Sequence, residues 1–171
     1  MSGAALKLID VFLMPGDCFV GDEQYRVRTL LGSCVSITLW HPARRIGAMS
    51  HFLLPGSNRK GGAERAGLYG VDAMDFLLAE LERRGVPLAQ CQGKLFGGGA
   101  MFPRSAKVPD IGGQNADCAR QLLRQHGIAL VSESLYGEGH RQLIFTIRSG
   151  EVLSRQVPPD FALRRPHKES A

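Results

Sequence analysis

Apolar and polar residues alternate along the first third of the chain, over residues 6–13, 25–30, 34–40 and 47–54, with the turn-forming clusters PGD, LGS and HPARR between them. Period-two alternation predicts strands that bury one face. From Asp72 the period changes: Met74, Leu77, Leu78 and Leu81 recur at helical spacing, Glu80, Glu82, Arg83 and Arg84 face outward, and Gly85 and Pro87 supply stop signals. Residues 93–97 predict a short strand running into the glycine cluster of FGGGAMFP. Asn115 is placed to cap a second helix that reaches Arg124, with Ala119, Leu122 and Leu123 as its buried stripe. The chain returns to strand over 128–132, 141–148 and 151–156, the last two joined by a two-residue Ser149-Gly150 turn. Strands first, helices in the middle and strands last do not make a regular βαβ repeat. The pattern therefore predicts an α+β layered fold with mixed or antiparallel sheet and two main helices.

Size and charge narrow the picture. A chain of 171 residues, 44% of them hydrophobic, can bury one sizeable core. Residues 1–157 are expected to form that single domain, and residues 158–171, with Arg164, Arg165 and Lys168 around a proline, a flexible tail. No apolar run reaches the roughly 18 residues of a membrane-spanning helix, and Lys7 and Asp10 interrupt the apolar N-terminal stretch. The expectation is a cytoplasmic protein, not membrane-inserted. Its 21 Lys and Arg against 16 Asp and Glu are scattered rather than clustered, which argues against nucleic acid as a partner.

Four cysteines, Cys18, Cys34, Cys91 and Cys118, stand 16, 57 and 27 positions apart, with no CxxC pair and no zinc-ligand rhythm. No metal is expected. Gly97, Gly98 and Gly99 lack the GK[ST] ending of a phosphate-binding loop and predict a sharp turn whose small residues let backbone approach a neighbouring face.

Cys34 follows Gly32 and Ser33 where a turn becomes a strand, a place where backbone N–H groups stay unpaired and can hold an oxyanion. Gly32 there permits close approach of a substrate. A four-residue loop over residues 41–44 sets Trp40 opposite Arg45 and Cys34 opposite His51. Any even loop length keeps Cys34 and His51 on one face, where cross-strand Cβ separations of about 5–8 Å let a thiol and an imidazole meet. A histidine so placed accepts the thiol proton, and a thiolate–imidazolium pair holds a cysteine below its free pKa of about 8.5. Spacing alone leaves a second possibility open, in which Cys34 is a buried small residue and His51 a core histidine bonded to backbone. Cys18, Cys91 and Cys118 are expected to be structural, His126 and His140 solvated, Tyr69 and Ser50 weaker site candidates, and Asn115 a helix cap whose alternative is a place at the site.

The segment TLLGSCVSITLWHPARRIGAMSHFLLP resembles the signature of CheD, the family of chemoreceptor glutamine deamidases. Residues 68–81 are similar to its tyrosine-bearing amphipathic helix, GKLFGGGAMF to its glycine-rich loop, IGGQN to its IGxxN segment and GHRQLIFTIRSGEVL to its closing hairpin, so the likeness spans residues 6–156. The resemblance implies a layered α/β/β sandwich. It implies an enzyme that hydrolyses the side-chain amide of selected glutamines on methyl-accepting chemotaxis receptors to glutamate, releasing ammonia, with no metal or organic cofactor. It further implies Cys34 as the catalytic cysteine, His51 as its histidine and Thr29 as the third member of the triad, while Ser33 and Gly32 stand as oxyanion or near-site candidates from their place in the turn. Association with a CheC-type phosphatase is implied as well, and a non-catalytic adaptor binding receptors or that phosphatase is the alternative.

Overall fold

The computed structural model describes residues 4–58, 66–103 and 105–159. Among these, nine strands and two α-helices follow in the order β1 (Ile9–Leu13), β2 (Cys18–Gly21), β3 (Tyr25–Leu31), β4 (Val35–His41), β5 (Ile46–Ser50), α1 (Gly70–Arg83), β6 (Gln92–Gly97), α2 (Ile111–Gln125), β7 (Ala129–Leu135), β8 (His140–Thr146) and β9 (Glu151–Val157). One sheet has four strands in the order β1-β3-β8-β9, the other five in the order β2-β5-β4-β6-β7. Both are mixed: β1 runs parallel to β3 and β6 parallel to β7, while the remaining pairs are antiparallel.

Alternation along β4 explains the layers. Val35, Ile37 and Leu39 point to one face and pack with Leu77 and Leu81 of α1 and Leu123 of α2. Met49 of β5 and Phe96 of β6 point the other way and join Val27, Leu143 and Phe145 of the four-stranded sheet. The five-stranded sheet is thus covered on both faces, and the α/β/β sandwich expected from the sequence is what forms. The sheets pack tightly at Gly47, where a Cβ would lie 2.8 Å from Phe145 Cζ.

Several boundaries differ from the sequence expectation, each for a local reason. β2 was not anticipated: it is four residues long and lies between two turn clusters. β5 stops at Ser50 because the Ser50 hydroxyl, not a backbone carbonyl, accepts from Ile37 N at 3.1 Å. Pairing resumes only as an isolated bridge between Val35 and Phe52, with N···O distances of 3.1 and 3.0 Å. Helix α2 begins at Ile111, so Asn115 is not its cap. Asp110 is, accepting from Gly113 N at 3.0 Å. Two glycines in the first turn, Gly112 and Gly113, disguise that start, since glycine is a poor helix former. The β8–β9 connection is not a two-residue turn: Thr146 pairs with Glu151, and Gly150 N donates back to Thr146 O across a four-residue loop. Most of the expected tail lies outside the described residues.

Candidate active site

The site lies at one end of the interface between the sheets. Thr29 of β3 sits beside Leu13 of β1 in the parallel register, buried, and its hydroxyl donates to Leu13 O at 2.8 Å. That hydroxyl has one hydrogen, and a carbonyl can only accept it. The 2.8 Å contact between Thr29 Oγ1 and His51 Nδ1 is therefore an Nδ1–H donating to the threonine oxygen. His51 is held in the tautomer whose Nε2 carries a free lone pair, and Nε2 is buried with no partner. The backbone of His51 is fixed too, its N–H donating to Asp17 O at 3.1 Å and its carbonyl accepting from Gly16 N at 2.8 Å. With the residue only 2% exposed, burial pushes the imidazole down to about 4, against the opposing pull of the Leu13 carbonyl and the Asp17 charge.

Cys34 immediately precedes β4, one step beyond the Val35–Phe52 bridge. The hairpin register is Trp40 opposite Gly47 and His41 opposite Ile46, two positions from the expected pairing, with the loop at 42–45 and Arg45 at φ 49°. The loop is still even in length, so Cys34 and His51 stay on the same face, diagonal rather than directly opposed. Cys34 is half-buried against the inter-sheet core. Burial raises its thiol above the ordinary range, partly offset by its own backbone N–H. Both shifts favour the uncharged forms, a neutral thiol and a neutral imidazole on one face. This corrects the expected thiolate–imidazolium pair.

The glycine run grips the cysteine turn as its composition predicted. Gly98 N donates to Cys34 O and Gly99 N to Gly32 O, both at 2.9 Å. Gly97, at φ 111°, has Cys34 O only 2.2 Å from where a Cβ would stand. Ser33 lines a mostly apolar cavity of about 350 Å³ with Met101, Phe102, Pro103, Val108 and Ile111. Gly32 does not present open space: the Met101 sulfur lies 2.7 Å from its would-be Cβ. Among the described residues, the Cys34 N–H meets no acceptor outside its own residue.

The other candidates fall outside this cluster. Burial lifts the Cys18 thiol to about 12 and that of Cys91 to about 11, in keeping with structural roles. His126 and His140 are exposed. Ser50 serves the sheet, and Tyr69 precedes α1 without a side-chain cap. One contributor was not singled out from the sequence, and another was given a different first role. Arg141, 4% exposed, donates to the carbonyls of Gly97 (2.9 Å), Tyr136 (2.6 Å) and Ser134, which braces the glycine run from β8. Its one signal is an arginine on the same strand face as Leu143 and Phe145. Asn115 was read first as a cap, with a place at the site as the alternative; its amide reaches Ser33 O at 3.0 Å and Leu53 O at 2.8 Å.

Fold and site define a class: an α/β/β sandwich carrying a thiol, a threonine-oriented imidazole and an unpaired amide at one end of its sheet interface. The chain belongs to the CheD family. The family model described as "CheD chemotactic sensory transduction" matches residues 53–156, a span that begins just after His51. The chain is 54% identical over 158 residues to a probable chemoreceptor glutamine deamidase CheD 2 of Albidiferax ferrireducens, covering 90% of each chain. It is 42% identical over 159 residues to a probable CheD 1 of Chromobacterium violaceum, covering 92% of this chain and 82% of that one. Among solved structures it is similar to the hypothetical protein YfiH of Bacillus licheniformis, with a TM-score of 0.46 and 14% identity over 69% of this chain and 50% of that one.

Proposed function

We propose that this protein deamidates glutamines of chemotaxis receptors, hydrolysing the side-chain amide to glutamate with release of ammonia. Family membership and the likeness to chemoreceptor glutamine deamidases support the substrate. The observation that carries the chemistry is the bare, buried Nε2 of a His51 ring oriented by Thr29, on the face shared with Cys34.

Nε2 takes the Sγ proton as the Cys34 sulfur adds to the glutamine Cδ, and the carbonyl electron pair moves onto oxygen beside the Cys34 N–H. Collapse of this adduct breaks the C–N bond, and the departing nitrogen takes the proton from Nε2 and leaves as ammonia. Water then gives a proton to Nε2 as it adds to the γ-glutamyl thioester, and collapse returns that proton to sulfur, leaving glutamate and a free thiol. Thr29 keeps Nδ1 protonated throughout, so that Nε2 remains the exchanging atom. The cytoplasm is the compartment in which receptor signalling regions are within reach, and a CheC-type phosphatase is the second partner, a pairing that a pull-down tests.

The test of the reaction is incubation with a receptor cytoplasmic fragment and site-resolved mass spectrometry. Glutamine-to-glutamate conversion with ammonia release is expected from the wild type and not from Cys34→Ala. Conversion by Cys34→Ala would remove the nucleophile assignment. Receptor cleavage, or incorporation of an added amine in place of water, would assign a different acyl transfer to the same thiol. Receptor binding without ammonia release would leave an adaptor.

A further inference from the structure

We infer that Asn115 is a positioning residue for this reaction: its two amide hydrogens hold the carbonyls of Ser33 and Leu53, which aims the Cys34 N–H at the developing oxyanion and ties the cysteine turn to the segment that carries His51. The inference rests on the deamidase assignment above and names a residue that acts through the Cys34 amide rather than on substrate.

Asn115 sits inside α2, fully buried, where asparagine is a weaker helix former than leucine or alanine. Its orientation is fixed by chemistry, because only the NH2 end can face two carbonyls, Ser33 O at 3.0 Å and Leu53 O at 2.8 Å. Its Oδ1 is buried without a partner, so the residue carries an unsatisfied acceptor in order to present both donors. A leucine of similar volume would serve the core without that cost. What the donors hold is informative. Ser33 and Leu53 lie just past the Val35–Phe52 bridge, two residues beyond Val35 on one side and one beyond Phe52 on the other, where the β4–β5 hairpin opens. No ladder bond spans that gap among the described residues, and the Asn115 amide spans it instead.

The consequence for Cys34 follows from peptide geometry. The Ser33–Cys34 peptide is trans, so its N–H points opposite to its C=O. With the carbonyl drawn toward α2, the Cys34 N–H is turned away from the helix. Its own thiol feels that N–H, and no other acceptor among the described residues takes it. The next peptide group is held by the glycine run: Gly98 N donates to Cys34 O, and Gly112 of α2 lies so close to Gly98 that a Cβ would stand 2.6 Å from Gly98 O. The first turn of α2, the glycine run and the cysteine turn form one stack, and Asn115 is the side chain that reaches across it.

Asn115→Asp and Asn115→Ala, each verified as folded by circular dichroism, separate positioning from packing. Expected is a fall in kcat of about 100-fold with KM little changed, the scale seen when an oxyanion donor is lost. Iodoacetamide alkylation of Cys34, which needs the thiol and no oxyanion site, should stay within about threefold of wild type on the same scale. Asn115→Asp should also recover kcat as pH falls, because only a protonated carboxyl can donate to either carbonyl. In the unaltered protein both Nδ2 hydrogens should exchange slowly with solvent. A folded variant with near wild-type kcat, a parallel loss of kcat and alkylation, or fast Nδ2 exchange would each overturn the inference. Activity surviving in Cys34→Ala would instead overturn the deamidase assignment on which it rests, so the two failures are told apart.

Discussion

His51 pays for its role with burial, and that gives it a signature in stability. Its folded pKa is about 4 against an ordinary 6.5, so between those values the unfolded chain binds more protons than the folded one. Stability from this residue is complete above pH 6.5 and declines as pH falls toward 4, by about 3 kcal/mol for a shift of this size. Urea unfolding of wild type and His51→Gln across that window isolates the contribution: the wild-type midpoint should fall more steeply with acidification, since glutamine does not titrate. Parallel curves would mean that the imidazole is not held neutral. Thr29 belongs to the same account, because the hydroxyl that orients Nδ1 is itself consumed by Leu13 O and offers the ring no proton. Residue types at 29, 34 and 51 were legible in the sequence. The charge state was not, because it depends on how deeply the sandwich buries the pair.

Elements supply what the residues cannot. The β4–β5 hairpin shows which information survives in a sequence: parity did, since an even loop keeps Cys34 and His51 on one face, while register slipped by two because Arg45 adopts a left-handed conformation inside the loop. Asn115 was read first as a cap for a comparable reason, the glycines that allow α2 to touch the glycine run also masking where the helix starts. Backbone partners, such as the three carbonyls that Arg141 braces, leave no residue-type signal at all. Gly97 tests the importance of this clamp. Alanine there meets both a strained φ of 111° and the Cys34 carbonyl, whereas alanine at Gly127, with φ 65° and open space around it, meets strain alone. Each should lose about 1–3 kcal/mol from backbone strain. Only Gly97→Ala should also lose deamidation when both are assayed well below their Tm, and equal activities would show that the Cys34 turn does not depend on the run.

Across the whole molecule, the five-stranded sheet is shared by both cores, so neither outer layer has an apolar surface to itself. Val35, Ile37 and Leu39 face the helices, and Met49 and Phe96, from the neighbouring strands, face the second sheet. Loss of either layer uncovers a face of the same strands, which predicts one cooperative unfolding transition. The chain contains a reporter for each side. Trp40, its one tryptophan, lies between the sheets with Nε1 donating to Ile147 O at 2.7 Å and its ring against Gly150. The helical circular dichroism signal comes from α1 and α2 on the opposite face. Denaturant curves followed by tryptophan fluorescence and by far-ultraviolet dichroism should coincide. Phe145→Ala, which empties a side chain 1% exposed in the inter-sheet core, should lower both midpoints together by the equivalent of about 3–5 kcal/mol. A fluorescence midpoint that moved while the helical signal stayed in place would show that the layers unfold separately. The site, with Thr29 on one sheet and Cys34 and His51 on the other, would then come apart before the helices do.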